Sequence, residues 1–274
     1  MWRPINEDHS IEMMSIVIGF HDALSSLVYR KIIRRLEEAT NANGLNIQQP
    51  IQGMEFRLDS AGVTPQPINI TGMSYQKNSL IRLQNNNVVN KIVEQLQFQP
   101  QAIQYLTWKY TRWAPAVESI QRLIYPALEI AAQAVSLSSV RIEYFDRFIL
   151  DGDGVRSSPS DVLCEESPLI AKDIFSSDDL WHSHTGKLVN IDAQRKRLFQ
   201  VNIDAQELAS PEELVGARSI SIMNSVEDRF LNTGWELTDI HDQVGTELNE
   251  LHKESKELYS KILNPNMAAK VGLE

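Results

Sequence analysis

Two histidines separated by one residue, His182 and His184 in the run WHSHTG, are the sequence's strongest claim to metal chemistry. On an extended strand such residues point to the same side, so both imidazoles could ligate one ion. Zinc needs at least a third protein ligand. None stands nearby on the same strand, and Asp178 and Asp179 lie across the preceding loop boundary. A polar sheet face accounts for the pair equally well. DGDG at 151–154 opens like a calcium loop, yet Val155, Ser157 and Val162 occupy places that need oxygen ligands. The single cysteine, Cys164, sits beside Glu165 and Glu166, whose charge opposes thiolate formation and makes it a poor nucleophile. His241 and His252 are eleven residues apart, roughly three helical turns, which is too far to share an ion. Each is expected at the edge of an apolar stripe. His9 and His21 flank a strand without an evident partner. The sequence contains no glycine-rich phosphate loop, G-x-S-x-G, H-E-x-x-H or C-x-x-C.

Two further stretches carry charge in a suggestive pattern. LTWKYTRW interleaves Trp108, Tyr110 and Trp113 with Lys109 and Arg112. Aromatics among cations can stack single-stranded bases. At a junction between strand and helix they more often pin the helix to the sheet, with cation stems over rings. VRIEYFDRFIL, residues 140–150, alternates in two sets. Val140, Ile142, Tyr144, Asp146, Phe148 and Leu150 share one side; Arg141, Glu143, Phe145, Arg147 and Ile149 share the other. Acid–base catalysis by the charged set would need a pocket and shifted pKa values. Opposite charges on a sheet surface are mildly stabilising without either. Arg141, Glu143 and Arg147 are therefore read as a solvated or partner-facing surface. RKIIRR falls in a helix, and QRKR at 194–197 in a hairpin turn where exposure suffices to explain it.

The elements that must position these residues follow from periodicity. Ile11–Phe20 reads as a buried strand. Leu24, Leu27, Val28, Ile32 and Leu36 then mark an amphipathic helix, with Gly44 as its C-terminal cap. Residues 50–107 alternate in short runs separated by turn residues, which predicts an antiparallel meander because the links are too short for parallel crossovers. RWAPAVESIQRLIYPALEIAAQAV returns to helical spacing, with Pro115 near its start and a kink or break expected at Pro126. Then come the strand at 140–150, a long polar loop, and a short helix in PLIAKDIF. Three more strands are expected, in WHSHTGKLVNID, RLFQVNIDAQE and RSISIMNSVEDRFL. Leu237, Ile240, Val244, Leu248, Leu251, Leu258 and Ile262 predict a long helix, capped by Thr238 or Asp239 and ended by Asn264 and Pro265. The fold class is α+β. Two similar units of antiparallel sheet packed with helices are expected, 1–136 and 137–274, the second closed by the long C-terminal helix.

The whole chain has 274 residues, 42% of them apolar and 23% charged, an ordinary globular composition. A net charge of −10 disfavours broad nucleic-acid binding. No apolar run approaches the roughly 20 residues of a membrane helix, and MMSIVIGF is too short and wrongly flanked for a signal peptide. A single cysteine permits no intrachain disulfide and fits a reducing compartment, so a cytoplasmic location is expected.

Taken in order, WRPINEDHSIE, Tyr110 and Trp113 before a helix, VRIEYFDRF, FQVNIDA and ELNELHKESKELYSKILNPNMAAKVGL resemble a family of sporadically distributed, uncharacterised prokaryotic proteins of about this length. That family resembles itself in a mid-chain arginine-to-tyrosine strand, a later I-D strand and a closing Leu-His helix. This chain departs in a shortened sheet-forming middle and a lengthened loop at 151–167. The resemblance implies the fold and a prokaryotic cytoplasmic setting, and supplies no catalytic residue. Its sporadic distribution implies a link to defence or mobile elements. The resulting expectation is a non-catalytic interaction or assembly protein without a cofactor, partnered by another protein or by itself as a homo-oligomer. The alternatives are a metal-dependent hydrolase using His182 and His184, and a single-stranded nucleic-acid binder using Trp108, Lys109 and Arg112.

Overall fold

The computed structural model describes residues 1–59, 62–82, 86–150, 158–177, 179–208, 218–231 and 239–273. Strand β1 (Trp2–Pro4) leads to β2 (Ile11–Phe20) and helix α1 (Ser26–Ala42). Strands β3 (Ile47–Asp59), β4 (Gly62–Arg82), β5 (Val88–Gln99) and β6 (Ala102–Thr107) follow as an antiparallel meander, as the short links require. Helices α2 (Trp113–Leu123) and α3 (Tyr125–Ala131) precede β7 (Leu137–Leu150). Two short 3-10 turns, Pro159–Asp161 and Lys172–Ser176, lead to β8 (Trp181–Asn190), β9 (Arg195–Glu207) and β10 (Arg218–Phe230). Helices α4 (Ile240–Ser260) and α5 (Pro265–Lys270) complete the order.

All the strands join one ten-stranded sheet, ordered β3-β4-β5-β6-β2-β7-β10-β9-β8, with β1 extending the line of β2 along the far end of β7. Every pair is antiparallel. β2 and β7 are central neighbours, Ile16 opposite Ile142 and Met14 opposite Tyr144. The sheet therefore runs unbroken across the expected boundary at 136/137.

The alternation in β7 decides which face is covered. Val140, Ile142, Tyr144, Asp146 and Phe148 are buried, and Arg141, Glu143, Phe145 and Arg147 are half-buried. The buried set meets α4, whose Val244, Leu248, Leu251 and Leu258 recur at helical spacing. Over β4 and β5 the cover is α1: Ile32 and Leu36 are fully buried, and Tyr29 stacks on Phe98 at 4.9 Å. Gly44 takes the left-handed conformation (φ 80°) just past α1, the capping role its position indicated.

Three expectations need correction. The segment PLIAKDIF contains only a 3-10 turn rather than a helix. The long helix spans Ile240–Ser260, 21 residues, and stops four residues before Asn264. Asn264 instead caps α5, accepting from the Met267 amide, and Pro265 opens it; proline suits a first helical turn as well as it ends a helix. The chain thus does not close on α4. The break at Pro126 is present: α2 ends at Leu123, and Pro126 lies in the first turn of α3. Asp151–Gly154 of the DGDG run, Asp178, Leu237 and Thr238 lie outside the described residues.

Candidate functional site

Asp146 is the anomaly on the covered face of β7, a carboxylate in an otherwise apolar and aromatic row, 1% exposed. Its position opposite Ile11 places it against the entry to β2, where the Arg147 amide donates to the Ser10 carbonyl at 2.8 Å. Ser10 Oγ donates to Asp146 Oδ1 at 2.7 Å. With that proton committed, Tyr259 of α4 donates to Ser10 Oγ at 2.8 Å. Asp146 Oδ2 is buried and has no hydrogen-bond partner. Burial pushes the Asp146 carboxyl up to about 7, against the opposing effect of Ser10 and Tyr259. Near neutrality this side chain can therefore hold or release a proton. Ser10, buried and engaged on both sides, is not a free nucleophile.

These groups border a cavity of about 340 Å³ between the entry to β2, the turn before α2, β7, β10, α4 and the chain's last described residues. Its wall is aromatic. Tyr144 Oη shares a 2.9 Å hydrogen bond with His252 Nδ1, and the His252 ring stacks on Trp113 at 4.3 Å, 8° from parallel. Trp113 Nε1 donates to Asn249 Oδ1 at 2.7 Å, fixing the indole against α4. Tyr110 sets an edge against Tyr144 at 5.7 Å, and His9 one against Tyr110 at 6.0 Å. Burial, helped by nearby Lys256, holds His252 down at about 4, so the imidazole is neutral at physiological pH. Burial, then Arg112, likewise lowers His9. Tyr144 and Tyr259 are raised, chiefly by burial, and remain phenols. Behind them Ser255 donates to Asn224 Oδ1 in a close buried contact. Arg112 and Lys256 are exposed at the rim, where Arg112 Nη1 donates to the Thr111 carbonyl at 2.9 Å.

The predicted residues are distributed differently. LTWKYTRW divides: Tyr110, Arg112 and Trp113 line the cavity, whereas Trp108 and Lys109 point outward. Trp113 does pin the start of α2, but it does so on the His252 ring rather than under a cation. The charged side of β7 lies on the face of the strand away from Asp146, where its charged side chains are half-buried and Ile149 is buried. Arg147 pairs with Glu12 at 2.8 Å and also reaches Ser219 Oγ at 3.2 Å. Arg141 Nε approaches Glu143 at 3.4 Å without hydrogen-bond alignment. His182 and His184 do share the exposed side of β8, their rings edge to face at 6.4 Å, and His182 Nδ1 contacts Asp204 at 2.5 Å. Among the described residues no three His, Cys, Asp or Glu side chains are placed to hold a metal ion.

Two placements overturn expectation. QRKR is not an exposed turn: Arg197 is 2% exposed, bonded to both Asp228 oxygens at 2.6 and 2.8 Å and to Glu250 at 2.6 Å. Arg195 reaches Glu247 at 3.1 Å. Burial first, and then Asp228 beside it, push Glu247 up to about 8. This network anchors α4 to the β9–β10 hairpin. His252, expected at the rim of the apolar stripe, instead forms the cavity wall. His241, the other helix histidine, stacks on Tyr125 at 4.3 Å.

Ser10, Tyr144, Asp146 and Tyr259 escaped notice as a group because 249 residues separate the first from the last. One signal was available, a carboxylate among the inward positions of VRIEYFDRFIL. No protein-family model and no curated protein matches the chain.

Proposed function

We propose that the protein is a non-catalytic interaction protein that self-associates through a two-stranded arm at the end of the β4–β5 hairpin. The supporting observation is an exposed apolar cluster on that arm. β5 pairs with β6 only from Glu94 onward, and β4 pairs with β3 only up to Gln76. Among the described strands, residues 77–82 and 88–92 thus pair only with one another. Asn78 lies opposite Ile92, Leu80 opposite Asn90 and Arg82 opposite Val88, so Leu80, Val88 and Ile92 share one side. They are 73%, 54% and 36% exposed. Ile81 lies on the other side, and Trp108 stands where β6 ends.

A lone hairpin is marginal in water, and apolar residues gathered on its surface favour a covering partner. Each aliphatic side chain gains about 1.5–3 kcal/mol when fully buried. Among the described strands none pairs with the outer side of 77–82 or of 88–92, a geometry that suits strand addition. A second copy offers the same apolar side and the same edges, which suits an isologous contact.

The charged side of β7, with half-buried Arg141, Glu143 and Arg147 in local ion contacts, belongs to the same reading as a partner-facing surface. The related-unit reading of the chain has support in strand order. β2 continues into β6, β5, β4 and β3 on one flank, and β7 into β10, β9 and β8 on the other. No described helix is long and apolar enough to cross a membrane. The cytoplasmic setting and a link to defence or mobile elements remain part of this proposal. The first rests on the single cysteine, the second on the family resemblance alone.

Light scattering tests the central point. Wild-type protein at micromolar concentration is expected at about twice 31.1 kDa, and the Leu80→Asp/Ile92→Asp variant at 31.1 kDa. A wild-type monomer, or a dimer indifferent to both substitutions, overturns the reading.

A further inference from the structure

We propose that the cavity beside His252 binds a small aromatic carboxylate, its ring against Tyr110, Trp113 and Tyr144 and its carboxylate at Arg112 and Lys256. The inference goes beyond self-association and does not depend on it. Two features of the cavity select the ligand class. The wall is aromatic: Tyr110, Trp113 and Tyr144 line it together with the imidazoles of His9 and His252, held in edge or stacked contact with one another. Such a wall favours a planar apolar body, because rings already fixed in place receive another ring at little cost in order. The rim is cationic. Arg112 and Lys256 are exposed there and outnumber Asp8, the one exposed acid of the lining among the described residues. Both charges reach the groups inside: after burial, Arg112 is the next cause that keeps His9 low, and Lys256 does the same for His252.

Charge placement excludes the neighbouring classes. A cationic ligand would have to pass two like charges at the rim. A neutral ring would suit the wall and gain nothing from Arg112 or Lys256. An anionic group sunk deep in the cavity would approach Asp146, a carboxyl that resists a second negative charge, so the carboxylate belongs at the rim and the ring inside. An aromatic acid has this shape, because its carboxylate projects from the edge of the ring. Arg112 uses one N–H on the Thr111 carbonyl, and a guanidinium carries several more to offer a carboxylate. The size agrees: about 340 Å³ lies near the lower bound for small-molecule sites and holds on the order of ten waters, enough for a one- or two-ring acid.

The test is isothermal titration of the full chain with benzoate, phenylacetate and indole-3-acetate, each against its primary amide, with acetate and hexanoate as further probes. At least one aromatic acid is expected to bind with a Kd of about 1 mM or tighter, modest for a ligand of this size. Its amide has the same shape without the charge and is expected to bind at least about fivefold more weakly. Acetate, which lacks the body, and hexanoate, which lacks the ring, should both bind more weakly than that acid. Arg112→Gln and Lys256→Gln lie at exposed positions and leave the core untouched. Each is expected to weaken the acid about two- to fivefold, the range of an exposed charge pair, and to leave the amide unchanged. Absence of binding by all three aromatic acids overturns the proposal. So does an acid matched by its amide, by acetate or by hexanoate, or one indifferent to both rim substitutions.

Discussion

Replacing Asp146 by asparagine should change how the protein's stability depends on pH, with a sign fixed by the burial of this one carboxyl. In the folded chain the carboxyl titrates at about 7, against 3.8 when unfolded. Below the unfolded value both states are protonated and the group costs nothing. Between the two values the unfolded chain has lost the proton while the folded chain keeps it. Stability is therefore lost as pH rises through this window, and the loss is complete above about 7. At about 1.36 kcal/mol per pH unit, the difference corresponds to a penalty of about 4 kcal/mol at alkaline pH. Asparagine keeps the oxygen that accepts from Ser10 and cannot ionise. Urea unfolding of both proteins at roughly pH 4 and roughly pH 8 isolates the effect, because Glu247, His252 and His9 titrate alike in each. Wild type should lose about 4 kcal/mol more than Asp146→Asn between the two conditions. Equal losses, or a greater loss in the variant, would refute the assignment of a neutral, buried Asp146.

Other parts of the structure give equally direct expectations. Arg197→Met leaves Asp228 buried without its bidentate partner and should cost about 3–5 kcal/mol by chemical denaturation, unlike a surface arginine. The His252 imidazole, buried against Trp113 and Tyr144, should titrate by NMR with a midpoint near 4; a midpoint near 6.5 contradicts the buried stack. Gly72→Ala would place a Cβ 2.5 Å from the Phe98 carbonyl oxygen, a backbone atom that cannot swing away, so a loss of about 1–3 kcal/mol is expected in thermal unfolding.

Local chemistry made much of the fold legible. The alternation of VRIEYFDRFIL is the alternation of β7 from Val140 to Phe148, though Ile149 on the charged side is buried and Leu150 only half-buried, and the short links of residues 50–107 do make a meander. Pro126 breaks the helix where proline must. What stayed hidden depends on distant pairing. QRKR looked like a solvated turn because nothing local shows Asp228, Glu250 and Glu254 arriving from β10 and α4 to bury Arg197. His252 looked peripheral because its neighbours Trp113 and Tyr144 come from two other elements. Asp146 was visible on the inward side of its strand. Its meaning required Ser10 and Tyr259, residues from opposite ends of the chain. His182 and His184 show the reverse. Their spacing correctly put both on one side of a strand, while spacing alone cannot supply a third ligand.

Backbone amide exchange across residues 77–92, followed as protein concentration rises, tests self-association at the place it is assigned. Covered edges should exchange more slowly as dimer accumulates, while amides of the central β2–β7 pair stay unchanged. Exchange in the arm that is fast and independent of concentration would contradict the arm as the docking surface.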